Sequence, residues 1–484
     1  MSRLANLRIQ TACGLMAAFL LTVPAAAQEP VDVAMVAKIR AEAFERGQVL
    51  DTFNQLANLI GPRLTNSPAH KRSVAWTQEK LRAWGLANVH TEPFEFGRGW
   101  TLERFSIEMV EPRYMPLTGY PKGWSGSTSG TITATPVWLP NPSSSDLQAH
   151  AGKLKGAIVM TGPIQEYFIR ADRPPASGDL RTGRPPSKPA MPPADLLAKL
   201  KAEEVGVTLE PNIGEHGTIF VTGRDAGANA IPAVVLVSEH YNLIARLLQQ
   251  GVAVKLAVNV QGRYDDSDRN AHNVIAEIPG ADPALGSEVV MAGAHLDSWH
   301  SATGATDNAD GVATVMEAVR ILKALGVRPR RTIRIALWAG EEQGLLGSRA
   351  WVKQHLEGEA NAAARDRFSV YFNFDNGFPP ATGFYMEGNE PAQRSVAAWL
   401  KPLADLGVTE TTPGGIGATD HLAFTALKLP GFQAVQSYVG YDVRTHHTNA
   451  DFVERIAPDA LKQAAVVAAT VLYHAAMRDQ KMPR

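Results

Sequence analysis

A three-layer α/β/α sandwich carrying an inserted, mainly β domain is the fold class this sequence predicts. Strand-length apolar runs alternate with helix-length amphipathic segments on either side of the chain's middle. Between about residues 120 and 262 the composition shifts to short β-rich pieces separated by turn clusters. The length, 484 residues, also exceeds one ordinary core, so two domains are expected.

Residues 1–27 read as a secretory signal. Arg3 and Arg8 supply positive charge, residues 14–23 an apolar core, and Ala25-Ala26-Ala27 a cleavage site. The run is too short and too interrupted by proline to span a bilayer. Cys13, the only cysteine, is expected to leave with the signal, so the mature chain would have no thiol and no disulfide to add to its packing. An exported protein, periplasmic or secreted, is the expectation. A formal net charge of −1 favours neither nucleic acid nor an anionic membrane surface as a partner, and a homodimer is left open.

The mature chain divides into 28–119 (first part of the main domain), 120–262 (insert) and 263–484 (remainder). Residues 31–55 have helical spacing, ended by Gly61-Pro62-Arg63. Ser67 is placed to cap the next helix with Pro68 at its first position. Residues 89–96 and 105–110 read as strands. In the insert, 130–139, 156–160, 233–237 and 253–260 are strand-like and 238–250 is helical. The Pro-, Gly- and Lys/Arg-rich stretch 173–193 reads as an exposed loop. The main domain resumes with a strand at 273–278. A buried-type strand, 289–294, then delivers His295 and Asp297, a Gly-rich loop presents Asp307, and 311–325 is helical. Strand 333–339 leads to Glu341 and Glu342, and strand 368–374 to Asp375. A helix (392–406), a Gly-rich loop (414–419), a strand (431–436), a polar loop holding His446 and His447 (445–451) and a closing helix (457–477) complete the chain.

In an open α/β sheet, ligands bind at the carboxyl ends of the strands. An imidazole and several carboxylates emerging there make a donor set for divalent metal, with no thiolate. Paired metals need a bridging carboxylate, terminal ligands on each side and room for water. Asp307, between Gly304 and Gly311, suits the bridge; His295 and Asp375 would complete one metal, Glu342 and His447 the other. Glu341 is left over beside a ligand and is placed to move a proton. Asp297, two residues past His295 on the same face of an extended segment, could orient that imidazole. Singly these residues are weak signals, since a strand-end Asp commonly caps a helix and a Glu-Glu pair is commonly solvated. Their convergence carries the argument.

The segments AHLDSWHSATGATDNADG (294–311), ALWAGEEQGLLGS (336–348), FNFDNG (372–377) and HHTNAD (446–451) resemble the motifs of the dinuclear zinc exopeptidases. That family includes leucyl-type aminopeptidases, carboxypeptidase Q and the folate/glutamate carboxypeptidases. IGPRLTNSPAH (60–70) and the closing helix resemble the carboxypeptidase Q branch, and KLKGAIVM (153–160) with IPAVVLVS (231–238) resembles a protease-associated domain. The resemblance implies two zinc ions per chain, held by His295, Asp307, Glu342, Asp375 and His447. It also implies Glu341 as general acid/base and Asp297 as the partner of His295. It selects His447 over His446, because the family's ligand directly precedes Thr or Ser. The helical dimerisation domain of the large folate/glutamate carboxypeptidases is absent, which weakens that substrate specificity.

The expected activity is hydrolysis of short peptides at a free amino terminus. A carboxypeptidase, using Arg444 for the substrate carboxylate, and a non-catalytic metal-containing binding protein are the alternatives. Trp299, His421 and Tyr441 are the candidate pocket residues.

Overall fold

Apolar strands whose residues alternate between two cores place the main sheet as a middle layer. The computed structural model describes residues 29–172 and 190–484. The signal segment with Cys13 and most of the proline-rich loop fall outside those residues. The eight-stranded sheet runs Ala87–Glu95, Asn270–Ile278, Thr332–Trp338, Val289–His295, Phe368–Asn373, Gly431–Ser437, Phe378–Tyr385, Glu410–Thr412. Its centre is parallel, with His295 level with Trp338 and Gly293 level with Asn373. Val290, Ala292 and Ala294 enter one core, while Met291 enters the other with Trp338, Trp351 and Phe424. That is the period-two alternation of a strand. Both faces are covered, so these strands read as near-continuous apolar runs.

Helix Asp310–Ala324 packs against Pro458–Met477 on one face of the sheet. Pro458–Met477 is long and apolar enough to cross a membrane by length and composition, but most of it is buried in the protein. Arg320 is held within this layer at 2.8 Å from both Glu42 and Glu317. Ser67 accepts from the His70 N–H, with Pro68 opening helix Pro68–Ala83.

The expected 31–55 helix is broken. Val33–Arg46 stops at Gly47, where a Cβ would lie 2.2 Å from the Ala43 carbonyl oxygen, and Val49–Asn54 restarts the chain. Helix Glu390–Leu400 gives way to a 3-10 turn, Lys401–Leu406, at Pro402. Strand Phe378–Tyr385 was masked in the sequence by Pro379-Pro380. Both prolines fall where the pairing register with Gly431–Ser437 shifts, so no ladder N–H is required of them.

Two smaller sheets form the second unit. One pairs Gly99–Glu111 with Lys255–Asp265, flanked by Met115–Pro116 and Ile132–Ala134. The other runs Gly119–Pro121, Ala233–Leu236, Val207–Pro211, Ile158–Thr161, Val137–Leu139, and its last four strands are parallel. Parallel pairing needs crossover connections. Helices Ser144–Ala149 and Pro193–Ala202 lie in two of them, so this unit carries more helix than its short strands suggested.

Candidate metal centre

Three neighbouring parallel strands deliver their following residues to one edge of the sheet. His295 ends Val289–His295, Glu341 and Glu342 follow Thr332–Trp338, and Asp375 follows Phe368–Asn373. Asp307 arrives through a loop whose tightness depends on glycine. Gly304 has φ +61 and a Cβ there would lie 2.3 Å from the Ser298 Cβ; at Gly311 it would meet the Phe374 carbonyl oxygen at 2.3 Å. The Asp307–Asn308 peptide is cis. His447 follows the turn Tyr441–Thr445 and has φ +61 itself.

Asp307 faces both histidines. The Nε2 of His295 is 3.1 Å from Asp307 Oδ1, 3.4 Å from Asp375 Oδ1 and 4.0 Å from Glu341 Oε2. The Nε2 of His447 is 2.9 Å from Glu342 Oε2 and 3.5 Å from Asp307 Oδ2. Donor atoms of His295, Asp307 and Glu342 lie within 4.8 Å of one another, as do those of His295, Glu341 and Asp375, and of Asp307, His446 and His447. His446 also stacks on Tyr441, with ring centroids 5.0 Å apart, and its Nδ1 is 3.5 Å from Asp442 Oδ1.

The residues fit a zinc centre. His295 Nε2, Asp307 Oδ2 and Glu342 Oε1 are buried without a hydrogen bond. Converging buried acceptors without donors are costly unless a cation satisfies them. Imidazole and carboxylate ligands match zinc. The protein's own titration reflects the crowding. Burial raises the Glu341 carboxyl well above its usual range, and the carboxylates of Asp375, Asp420 and Glu342 add to this against His295. Burial disfavours the His295 cation, but Asp375 and Glu341 outweigh it and raise the imidazole well above its ordinary value.

The surrounding shell differs from the expectation in one detail. His295 Nδ1 lies 3.0 Å from the Asp297 main-chain carbonyl and 3.7 Å from its carboxylate. The carboxylate instead accepts from Thr65 Oγ1 (2.7 Å) and from the N–H groups of Glu341 (3.3 Å) and Glu342 (3.4 Å). Asp297 therefore links the histidine strand end to the Glu341-Glu342 turn. Asp375 Oδ2 accepts from Thr419 Oγ1 at 2.6 Å. Asp451 accepts from the N–H groups of Thr306 and Asp307 at 2.7 and 3.1 Å, and its carboxyl is pushed up to about 7 by burial and by Asp307.

Arg63 escaped the sequence reading. Fully buried, it donates to the carbonyls of Leu296, Thr303 and Gly304 at 2.8–2.9 Å and to Leu56 and Gly61 at 3.1 Å. It thereby ties both ends of the loop between His295 and Asp307 to the first helices. Burial pulls its guanidinium down to about 10, opposed by Asp451, Asp297 and Asp307. Its partners in the loop after His295 lie more than 230 residues away, so only the segment IGPRLTNSPAH hinted at a role.

The candidate pocket residues separate. Trp299 packs edge-on to His447 at 5.9 Å and helps line a small cavity with Gly304, Asp307, His447, Thr448 and Asp451. Tyr441 is buried and reaches the cluster through His446. His421 is buried with its Nε2 3.1 Å from Glu387 Oε1.

Residues 273–472 match Peptidase family M28. Over 457 residues the chain is 27% identical to carboxypeptidase Q of Mus musculus, covering 94% of this chain and 90% of that protein. It is also similar to the crystal structure of a Peptidase M28 precursor from Shewanella amazonensis SB2B. That TM-score is 0.70 at 26% identity, with 93% of this chain and 98% of the other covered. A zinc aminopeptidase from Bacillus subtilis shares the fold, with a TM-score of 0.60 at 19% identity over 93% and 97% of the two chains. The family match spans every strand that feeds the cluster. Over residues 273–472, then, the chain is similar to Peptidase family M28, and these likenesses together support a zinc-dependent peptidase of the exopeptidase type.

Proposed function

We propose that this protein is an exported exopeptidase that removes residues from the free amino terminus of short peptides, using two zinc ions. In this reading His295, Asp307 and Asp375 hold one ion, and Asp307, Glu342 and His447 the other. The observation that carries it is the division of the cluster about Asp307, with Glu341 next to the His295–Asp375 pair. Bound zinc supplies Lewis acidity, polarising the scissile carbonyl and lowering the pKa of a nearby water toward ~7. Glu341 accepts that water's proton as its oxygen adds to the carbonyl carbon. The same carboxyl returns the proton to the amide nitrogen as the C–N bond breaks, releasing the amine. Glu341 is buried and lies 4.0 Å from His295 Nε2, beside the ion that His295 and Asp375 would hold. Asp297 holds the turn carrying Glu341, and its carbonyl fixes the His295 tautomer. Trp299 forms a pocket wall beside His447. The insert, read as a protease-associated domain, shapes access to the site.

A second reading has support in the relatives' name, carboxypeptidase Q. Arg444, whose guanidinium reaches Thr218 Oγ1 at 3.4 Å, would then bind a substrate carboxylate. Hydrolysis of Leu-Leu beside its N-acetylated twin separates the two. Zinc-dependent cleavage of the free form alone supports the amine-directed exopeptidase; cleavage of the blocked form overturns it in favour of the carboxypeptidase.

A further inference from the structure

His447 stands out among the cluster's residues because the backbone on either side of it is also bonded to the insert. It lies on a loop, with φ +61, a left-handed conformation that a side chain bearing a Cβ seldom adopts. Such a conformation persists only where the surroundings over-determine it. Here the surroundings come from the insert. The N–H of Val221 donates to the His447 carbonyl at 2.9 Å, and Phe220 bridges to Thr448. Asn449 completes the joint. Its N–H donates to the Ile219 carbonyl (3.1 Å), its Oδ1 accepts from the Ile219 N–H (2.7 Å), and its Nδ2 donates to the Gly217 carbonyl (3.2 Å). Upstream, the Asp172 carboxylate accepts from the N–H groups of Gly440 and Val443 at 2.7 and 3.1 Å, gripping the turn that leads into the histidine pair.

From these contacts we infer that the insert positions a metal ligand. Residues 217–221 and Asp172 clamp the 440–449 loop so that His447 faces Glu342 and Asp307, and Asn449 is the positioning residue at the joint. The inference rests on the zinc reading of the cluster given above. His295 receives no such help, being the last residue of a central strand. The two ends of the cluster therefore differ in what holds them, and loosening the clamp weakens zinc at the His447 end alone. The peptidase site and the insert then form one unit: a ligand or partner that shifts the 217–221 segment changes metal affinity.

The test is chelator-competition titration of zinc into the metal-free full-length protein, with H447A marking the ion that depends on that histidine. Removing an outer partner of a metal ligand typically costs about 10–100-fold in affinity. Asn449→Ala is expected to weaken the H447A-sensitive ion by at least about tenfold and leave the other within about twofold. Asp172→Ala, at a partly exposed position, is expected to act in the same direction and more weakly. A thermal scan of the metal-free proteins separates this from general damage, because a merely structural loss lowers the transition and moves both ions together. The inference is overturned if both variants bind zinc as the unaltered protein does, or if both ions weaken equally. If the unaltered protein binds a single H447A-sensitive ion, the two-metal reading falls, while its selective weakening in Asn449→Ala still supports the clamp.

Discussion

His295 and His447 approach the same carboxylate, Asp307, by opposite routes. His295 is wholly buried at the end of a strand paired on both sides, and Arg63 and Asp297 hold the backbone that follows it. The His447 side chain is 21% exposed, and its backbone sits in a loop at positive φ with its carbonyl accepting the N–H of Val221 from the insert. One end of the site is thus part of the core and the other is an interface. Local stability in proteins is uneven, and functional sites draw on its low end where motion is needed. A peptide must enter somewhere, and the interface end, with Trp299 and its cavity, is the more open of the two.

The sharpest way to break this comparison is to remove each histidine. H295A is expected to abolish peptide hydrolysis and zinc retention at its end; H447A loses only the ion at the open end and keeps the fold. Loss of both ions or of the fold in H447A, measured by metal analysis after dialysis and by thermal unfolding, would erase the asymmetry. Glu341→Gln comes next. It is expected to lower kcat by about 10²–10⁴-fold while zinc content stays unchanged, the signature of a proton carrier and not a ligand. Loss of zinc in that variant would reassign Glu341 as a ligand of the core end.

Arg63→Met tests what anchors the core end. It strips donors from five carbonyls, four of them in buried hydrogen bonds, and a loss of about 3 kcal/mol in denaturant unfolding is expected. Lysine should not rescue it, because the contacts need the planar fork. The smallest effect is on pH dependence at the interface. His300 is half-buried, donates through Nε2 to the Pro121 carbonyl at 2.8 Å, and is pushed down to about 4 by desolvation of its ring. The unfolded chain, with an ordinary imidazole, binds the proton first as pH falls. Its contribution to stability is therefore complete above the unfolded value of about 6.5 and is lost as pH falls toward 4. Urea titrations across that window should flatten in His300→Phe if this histidine drives the loss.

The core of the fold was readable in the sequence because the central strands are apolar on both faces, as in Val289–His295 and Thr332–Trp338. The cluster was readable for a related reason: chemically distinct residues stood just past those runs, so strand ends could be matched to ligand types. What the sequence hid shares one property. Arg63 speaks to main-chain carbonyls, Asn449 to the main chain of residues 217–219, and Val221 through its own N–H. Contacts to the backbone across hundreds of residues leave no requirement on the partner's identity, hence no motif. Asp297 shows an intermediate case. Its spacing from His295 signalled contact, but the carbonyl took that part and the carboxylate turned to Thr65 and the Glu341-Glu342 turn. Helix Pro193–Ala202 was hidden differently, since it directly follows a Pro-rich stretch that reads as loop.

The most direct test of the account is to titrate zinc into metal-free protein while following Leu-Leu hydrolysis, beside a variant lacking both His295 and His447. The account predicts no hydrolysis without metal, activity that rises as zinc is taken up, and a folded double variant that stays inactive at every zinc level. Hydrolysis by the metal-free protein, or zinc-restored activity in the double variant, would contradict it.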